Sequence, residues 1–215
     1  MCSNESHSNE PESRSQRRSR GYTVLEVMVA LAVLTVGAAG VVAMQKTAVL
    51  GNARARDLAT ANAIAATWAE RLRADGLMWT EVSGLSYLDN TSWLKVVAKD
   101  FPSIAGDEGV WIRPAANWTK GVSYQANVQG LDTDPVVTNS EAAFCTNIRL
   151  VQMLPTMIRA EIRVFWLRNL GGGTAVANTA LCSDAAAYLT AVGTARDKYH
   201  FVYLTTSVLR NDSVR

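Results

Sequence analysis

The feature that most constrains the fold of this chain is an apolar run near its start. It extends from Tyr22 to Met44 and contains one charged side chain, that of Glu26. Because about 20 apolar residues are enough to cross a bilayer as an α-helix, a run of this length predicts a membrane span. The apolar core of a secretory signal peptide is shorter, about 7–15 residues, and no small-residue cleavage site ends this run. We therefore predict that the helix stays in the mature protein.

The residues before the apolar run indicate its orientation. Residues 1–20 are rich in Ser, Asn and Arg and contain no apolar stretch, so they cannot bury enough surface to fold by themselves. Four arginines lie just before the run, at Arg14, Arg17, Arg18 and Arg20. Basic residues of this kind mark the cytoplasmic flank of a membrane helix. The pattern predicts a disordered cytoplasmic leader and export of everything that follows the span.

The helical pattern continues beyond the apolar run. As far as Asp75 the sequence is rich in alanine, lacks proline and becomes amphipathic, which favours one continuous helix from Tyr22 to Asp75. Gly76 then supplies a signal for the end of the helix. Three glycines inside the helix allow either close helix packing in the membrane or local melting in a filament, and both interpretations stay open: Gly37, Gly40 and Gly51.

The rest of the chain is predicted to form shorter elements. We expect short helices over 92–100 and 184–191, and strands over 110–113, 122–129, 146–153, 157–168 and 199–209. The fourth strand has the clearest pattern, since Ile158 and Ile162 alternate with Arg159, Glu161 and Arg163. Such alternation is typical of an antiparallel strand with one packed face and one solvent-exposed face. The expected fold class is α+β, a long N-terminal helix packed on an antiparallel sheet.

Two of the three cysteines lie in the body of the chain, at Cys145 and Cys182, whereas Cys2 belongs to the polar leader. If the body is exported, these two can form a disulfide; the alternative is two separately buried thiols. A bridge between them stabilises by about 2–4 kcal/mol in the chain-entropy picture.

Composition and motifs argue against several classes of function. A formal net charge of +2 and a charged fraction of 19% do not resemble the concentrated basic patch of a nucleic-acid binder. Only two histidines occur, His7 and His200, and no nucleophile elbow, phosphate loop or Cys/His metal cluster is present. Asp132, Asp134 and Glu141 lack the regular spacing of a calcium loop. We therefore expect no catalysis, no cofactor, no metal and no nucleic-acid partner.

The start of the chain resembles the signature of type IV pilins and pseudopilins. In this family a basic leader ends in glycine, an aromatic residue or methionine follows, a glutamate stands fifth in the mature chain, and an apolar helix continues. Gly21, Tyr22 and Glu26 occupy these three positions. The leader is longer than in type IVa pilins, and Tyr22 stands where phenylalanine or methionine is more frequent.

The resemblance implies a fold and a maturation pathway. It implies the type IV pilin fold, with a leader over 1–21, a long helix over 22–75 that spans the membrane at 22–44, and a globular antiparallel-sheet domain over 76–215. Prepilin peptidase would cut between Gly21 and Tyr22 and methylate the new N-terminus at Tyr22. Glu26 would pair with the N-terminal amine of a neighbouring subunit.

Glu26 also has a purely structural interpretation. A carboxylate inside hydrocarbon costs at least about 2.5–3.5 kcal/mol on insertion scales and therefore requires a partner. Alternatively, Glu26 snorkels to the interface, where the positive end of the helix dipole favours it. The combination with Gly21 and the arginine run favours the assembly role.

Over residues 20–75 the sequence resembles PilV-type minor pilins, which end this helix with a motif here read as Ala69 to Arg73. The resemblance implies a minor pilin that enters or primes a type IV pilus used in adhesion and twitching motility. Its partners would be other major and minor pilins, the inner-membrane assembly platform and, before assembly, membrane lipid. The domain would be periplasmic first and extracellular in the pilus. The alternatives are a type II secretion pseudopilin of the I type and, from another class, a single-pass sensor or tethered enzyme.

Overall fold

The structure, a computed structural model, describes residues 21–82, 85–97, 109–117, 120–134, 142–168 and 181–211. Two compact units divide the chain between Ala48 and Val49. The first contains the N-terminal half of a long helix, and the second contains the other half of that helix with a sheet domain. The leader over 1–20, Cys2, His7 and Glu141 lie outside the described residues.

One helix, α1, extends over Val24–Gly76, which confirms the predicted long helix to within two residues at each end. It continues through Gly37, Gly40 and Gly51. At Gly76 a Cβ atom would lie 2.4 Å from Val208 Cγ1, so only glycine lets the chain pass this close to the sheet. The predicted stop signal therefore has a packing reason.

The described part of the sheet domain contains the strands β1 (Thr80–Val82), β2 (Leu85–Tyr87), β3 (Gln125–Ala126), β4 (Phe144–Leu154), β5 (Met157–Leu167) and β6 (Tyr199–Leu209), a second helix α2 over Ala186–Thr194 and a 3-10 turn over Leu94–Val96. Four of the strands form an antiparallel sheet in the order β3-β4-β5-β6, and β1 and β2 form a separate hairpin. The expected α+β class is confirmed, and it is consistent with the type IV pilin fold.

The second half of α1 packs on one face of this sheet. Its buried residues recur at helical spacing and include Ala61, Ile64, Trp68 and Leu72. Trp68 is fully buried and meets Trp93 edge to face, with ring centroids 5.5 Å apart. On the sheet side the core is formed by every second residue of the two central strands, among them Ile148, Ile158, Ala160, Ile162 and Val164. This packing, rather than helix propensity alone, holds α1 to the domain.

Asp75 fastens the end of α1 to the following loop. Its carboxylate is buried and accepts backbone N–H groups of Ser92 (2.6 Å), Trp93 (2.8 Å) and Leu94 (3.0 Å). Three donors aimed at one ion compensate for its loss of water. They also satisfy N–H groups at the start of the 3-10 turn, which has no other side-chain cap.

The other face of the sheet is partly covered by a second layer, which corrects the prediction of a solvent-exposed face on β5. Arg163 and Phe165 are buried there, and Leu181, Cys182 and Val192 pack over this end of the strand. The predicted disulfide Cys145–Cys182 is present, with a Cα–Cα distance of 5.5 Å. It ties the covering layer to β4, and sequence alternation could not anticipate this cover because the covering residues are distant in the chain.

Some of the remaining predicted elements are confirmed and others are wrong or shortened. The strands predicted over 146–153, 157–168 and 199–209 are confirmed, and the helix predicted over 184–191 lies at Ala186–Thr194. The strand over 110–113 is wrong, since only Ile112 forms a bridge there, to Ile148, and Pro114 follows. The strand over 122–129 is reduced to Gln125–Ala126, because a tight turn at Gly130, with a φ of +81°, reverses the chain. The helix over 92–100 is a short 3-10 turn as far as described, and β1 and β2 were missed.

Candidate functional site

The predicted processing segment lies at the open N-terminal end of α1. Gly21, Tyr22 and Thr23 precede the helix without regular structure and are exposed, Tyr22 by 81%. Apart from its chain neighbours, no described residue has an atom within 4 Å of the position that a Cβ of Gly21 would occupy. The backbone on both sides of the Gly21–Tyr22 bond is therefore accessible in the described chain, as a protease substrate requires.

Thr23 starts the helix, a role that the sequence reading missed. Its Oγ1 accepts a hydrogen bond from the backbone N–H of Glu26 at 3.3 Å. The first helical residue is Val24, so Thr23 is the N-cap and Glu26 the third residue of the helix. The spacing Thr-x-x-Glu is the signature of a capping box, and it would have located this helix start from sequence. Glu26 is thus held one turn above the cleavage position.

Glu26 lies within an apolar stripe on one side of α1. A shallow concavity along this side is lined by six residues: Tyr22, Glu26, Val27, Ala30, Leu31 and Leu34. Their spacing of three and four residues places them on neighbouring turns. The carboxylate therefore stands among apolar side chains and near the positive end of the helix dipole. A cationic group of another molecule that docks on this stripe would meet it directly.

The side chains in the first half of α1 are exposed. All of residues 24–48 are exposed, although most of them are apolar. The apolar window of this helix has a mean hydropathy of 2.5, is wholly unburied, and is long enough to cross a membrane. In water this surface would be strongly unfavourable, at roughly 25 cal/mol per Å² of apolar area. The segment suits hydrocarbon or a helical partner.

The disulfide lies in the second unit. Near it, Arg163 is 1% exposed and donates from Nη2 to Asn147 Oδ1 (2.8 Å) and to the carbonyl oxygen of Leu189 (3.0 Å). Its guanidinium also lies over the ring of Trp111, 4.5 Å from the centroid. Burial lowers the pKa of Arg163, and Tyr203 partly offsets this. This buried cation joins β5 to α2 and was assigned to a wet face from sequence.

Two of the polar residues considered for metal binding or catalysis, Asp132 and His200, have other contacts. Asp132 pairs with Arg71 at 2.5 Å. His200 lies beside the ring of Trp166, with centroids 5.3 Å apart, and burial together with Arg168 and Arg54 lowers its pKa. Within the described part of the chain no group of three or more His, Cys, Asp or Glu side chains is placed to hold a metal ion.

Comparison with known families gives one match. Residues 16–42 match the model of the prokaryotic N-terminal methylation motif. The match spans the end of the leader, Gly21, Tyr22, Glu26 and most of the apolar run. No curated protein matches the chain. No solved structure matches it either.

Proposed function

We propose that this chain is a minor pilin, a structural subunit that enters or primes a type IV pilus through the first half of α1. The observation that carries the proposal is the N-terminal methylation motif over residues 16–42. This motif supports a type IV pilin or pseudopilin, and with it processing by prepilin peptidase and assembly with other pilins. The minor-pilin assignment rests in addition on the resemblance of residues 20–75.

Each residue of the segment has a task in this proposal. Prepilin peptidase cleaves after Gly21, where the backbone is unobstructed. Tyr22 becomes the methylated N-terminus. Glu26 then pairs with the N-terminal amine of the neighbouring subunit, which compensates for the cost of a carboxylate in an apolar surrounding. The leader stays in the cytoplasm and the sheet domain is periplasmic before assembly and extracellular afterwards.

The apolar half of α1 has two alternative environments in this proposal, the membrane and the filament. Before assembly the half is covered by lipid, and after assembly by the helices of other subunits. Both environments cover a segment whose side chains are exposed over residues 24–48. The long helix thus accounts for anchoring and for assembly without any catalytic group, and the sheet domain supplies the surface that other subunits contact.

N-terminal sequencing of the mature protein tests the first step. In cells that contain prepilin peptidase we expect the mature chain to begin at methylated Tyr22, and in cells without it the leader should remain. A Gly21→Leu variant should keep its leader in both, whereas a Ser19→Ala variant should be processed normally. An intact leader on the unchanged protein in peptidase-competent cells would contradict the proposal and favour a single-pass sensor or tethered enzyme.

Deletion of the gene for this chain tests the second step, assembly, and distinguishes a role in a type IV pilus from one in type II secretion. A minor pilin predicts loss or reduction of surface pili and of twitching motility, with protein secretion unchanged. A type II secretion pseudopilin of the I type predicts the reverse, since it shares the N-terminal motif and serves another machine. Restoration by the unchanged gene is the control.

A further inference from the structure

The two edges of the four-stranded sheet differ. β6 forms one edge, and all eleven of its residues pair in register with β5, from Tyr199 opposite Leu167 to Leu209 opposite Met157, without a bulge. Its sequence contains no charged residue, proline or glycine. Long edge strands are normally protected by charges, bulges or proline, because their free backbone groups pair readily with another strand. β6 carries none of these protections.

Two hydrogen bonds show which residues of β6 turn their backbone to the free edge. At one end Arg168 donates its N–H to the carbonyl oxygen of Lys198, and at the other end Arg210 donates to that of Thr156. Because bonding alternates along an antiparallel pair, even-numbered residues of β6 bond to β5 and odd-numbered residues face outward. Past Tyr199, whose N–H is taken by Ala195, the outward residues are Phe201, Tyr203, Thr205, Ser207 and Leu209.

The outward backbone groups of these five residues are unpaired in the described part of the chain. None of their backbone groups bonds to a described residue outside the ladder. Their side chains lie on the face of the sheet away from α1, where Tyr203 is 55% exposed and Leu209 64%. Thr205 and Ser207 are exposed as well. Together they offer one N–H and one C=O each to an added strand.

At the opposite edge of the sheet, the outer side of β3 is bonded to the chain itself. β3 has two residues, and its outer side is bonded to the segment that follows it. Ala126 forms a bridge with Asp132, and the carbonyl oxygen of Gln125 accepts the N–H of Thr133. Farther along β4, Ile112 bridges Ile148. Among the described residues, the strand that a second copy in the same orientation presents antiparallel to β6, namely β3, therefore already has its outer side bonded.

Pairing of β6 with β6 of a second copy is disfavoured by the direction of α1. Within the second unit α1 runs the same way as β6, since Arg73 Nε donates to Thr206 Oγ1 at 3.0 Å, and Gly76, farther along the helix, lies against Val208, farther along the strand. The electrostatic influence of Arg54 and Asp57 on His200, near the start of β6, agrees with this direction. Antiparallel pairing of two β6 strands about a twofold axis would reverse one α1. Subunits anchored in one membrane, or assembled through α1, carry this helix in a common direction.

From these observations we propose that the β6 edge accepts an antiparallel strand from the sheet domain of a pilin-like subunit of different sequence. The inference rests on the proposed function for the common direction of α1. In this sheet β3 runs antiparallel to β6. A neighbour with the same fold and helix direction therefore places the strand at its β3-side edge antiparallel to β6. Such a neighbour can pair with β6 if the backbone groups of that edge strand are unbonded. The chain thereby selects which subunit lies beside it.

Photo-cross-linking in cells that assemble the filament tests this inference on the full chain. A photoreactive p-benzoylphenylalanine replaces Ser207, and mass spectrometry identifies the adduct. We expect a strand peptide of another pilin-like protein. Thr205→Pro should lower the adduct at least tenfold, since it removes an outward N–H without breaking a bond to β5. Thr205→Val keeps that N–H and should leave the adduct unchanged.

A second photoreactive probe at Val33 in α1 separates this inference from the proposed function. Adducts from Val33 without any from Ser207 would leave the pilin assignment standing and overturn the strand pairing. Adducts from Ser207 to a second copy alone would overturn it too. No adduct from either probe would contradict both. If Thr205→Pro does not fold, Thr205→Lys, which adds a charge to the edge, replaces it, and an unchanged adduct would then count against the pairing.

Discussion

The two halves of α1 belong to one continuous helix but stand in opposite surroundings. Residues 24–48 are apolar and none is buried, whereas the half from Val49 onward is mixed in polarity and buries one face against the sheet. Both halves are helical, so secondary structure does not distinguish them. The apolar surface of the first half suits lipid or a helical partner, whereas one face of the second half forms part of the domain core. Substitutions in the two halves should therefore affect different properties.

The largest effect is expected in the first half. Glu26→Val should reduce incorporation into filaments by at least tenfold, because the carboxylate that would meet a neighbour's amine is lost. The free energy of unfolding of the sheet domain should not change, since Glu26 belongs to the other compact unit. Incorporation is measured by immunoblotting of sheared filaments, and stability by urea unfolding followed through tryptophan fluorescence, since all tryptophans lie after Val49.

Val33→Leu is the matched control for that variant, since it changes an exposed apolar side chain of the same half without altering its polarity. It should assemble normally. A Glu26→Val protein that assembles as well as this control would contradict an assembly role for the first half, which would then act only as a membrane anchor.

In the second half the large effect should be on stability. Trp68→Ala removes a fully buried ring and its contact with Trp93, and we expect the free energy of unfolding to fall by about 3–5 kcal/mol. Leu34→Ala, in the exposed half, should change it by less than about 0.5 kcal/mol. Equal losses in the two variants would show that the halves are not distinct.

A smaller effect is expected at the end of the second half. Asp75→Asn keeps the size of the side chain and removes the charge that accepts three backbone N–H groups. Hydrogen bonds to charged groups contribute about 1.5–3 kcal/mol, so a loss within that range is expected in urea unfolding. The exposed Asp89 allows a comparison, since Asp89→Asn should be neutral. An unchanged Asp75→Asn protein would mean that α1 needs no fastening at this end.

The smallest effect concerns pH. His200 faces Arg168, Arg54 and Asp57, and burial and the two arginines lower its pKa below the ordinary value of 6.5. The unfolded chain therefore binds this proton more readily than the folded one, so stability rises with pH and declines as the pH falls below about 6.5. The urea midpoint should shift slightly downward between pH 7.5 and pH 5.5, and a His200→Asn variant should show a smaller shift. A larger shift in the variant would assign the acid sensitivity to other groups.

Much of the fold could be predicted because its signals are local. The apolar run and the alanine-rich pattern located α1, and alternation along 157–168 located β5. Two short elements failed for a physical reason. The segment around Ile112 has strand-forming residues but pairs at one position only, and β3 is cut short by the turn at Gly130. Pairing partners, rather than propensity, decide the length of such strands.

The candidate site was predicted to a similar extent. Gly21, Tyr22 and Glu26 were recognised as a pattern, and the same residues lie in the matched motif. Thr23 was missed although its spacing from Glu26 carried a capping signal. Arg163 could not have been placed correctly, because the carbonyl oxygen of Leu189 that accepts its hydrogen bond lies on α2, far along the chain.

By itself the sequence determined the apolar half of α1 and its processing motif, since both depend on consecutive residues and on the solvent they suit. It also indicated the pair Cys145 and Cys182. The tertiary structure decided the rest: the fastening of α1 by Asp75, the cover over Arg163, and the contrast, among the described residues, between a bonded β3 edge and an unpaired β6 edge. These depend on which distant segments meet, and that is settled by packing and by hydrogen-bond pairing across the whole sheet domain.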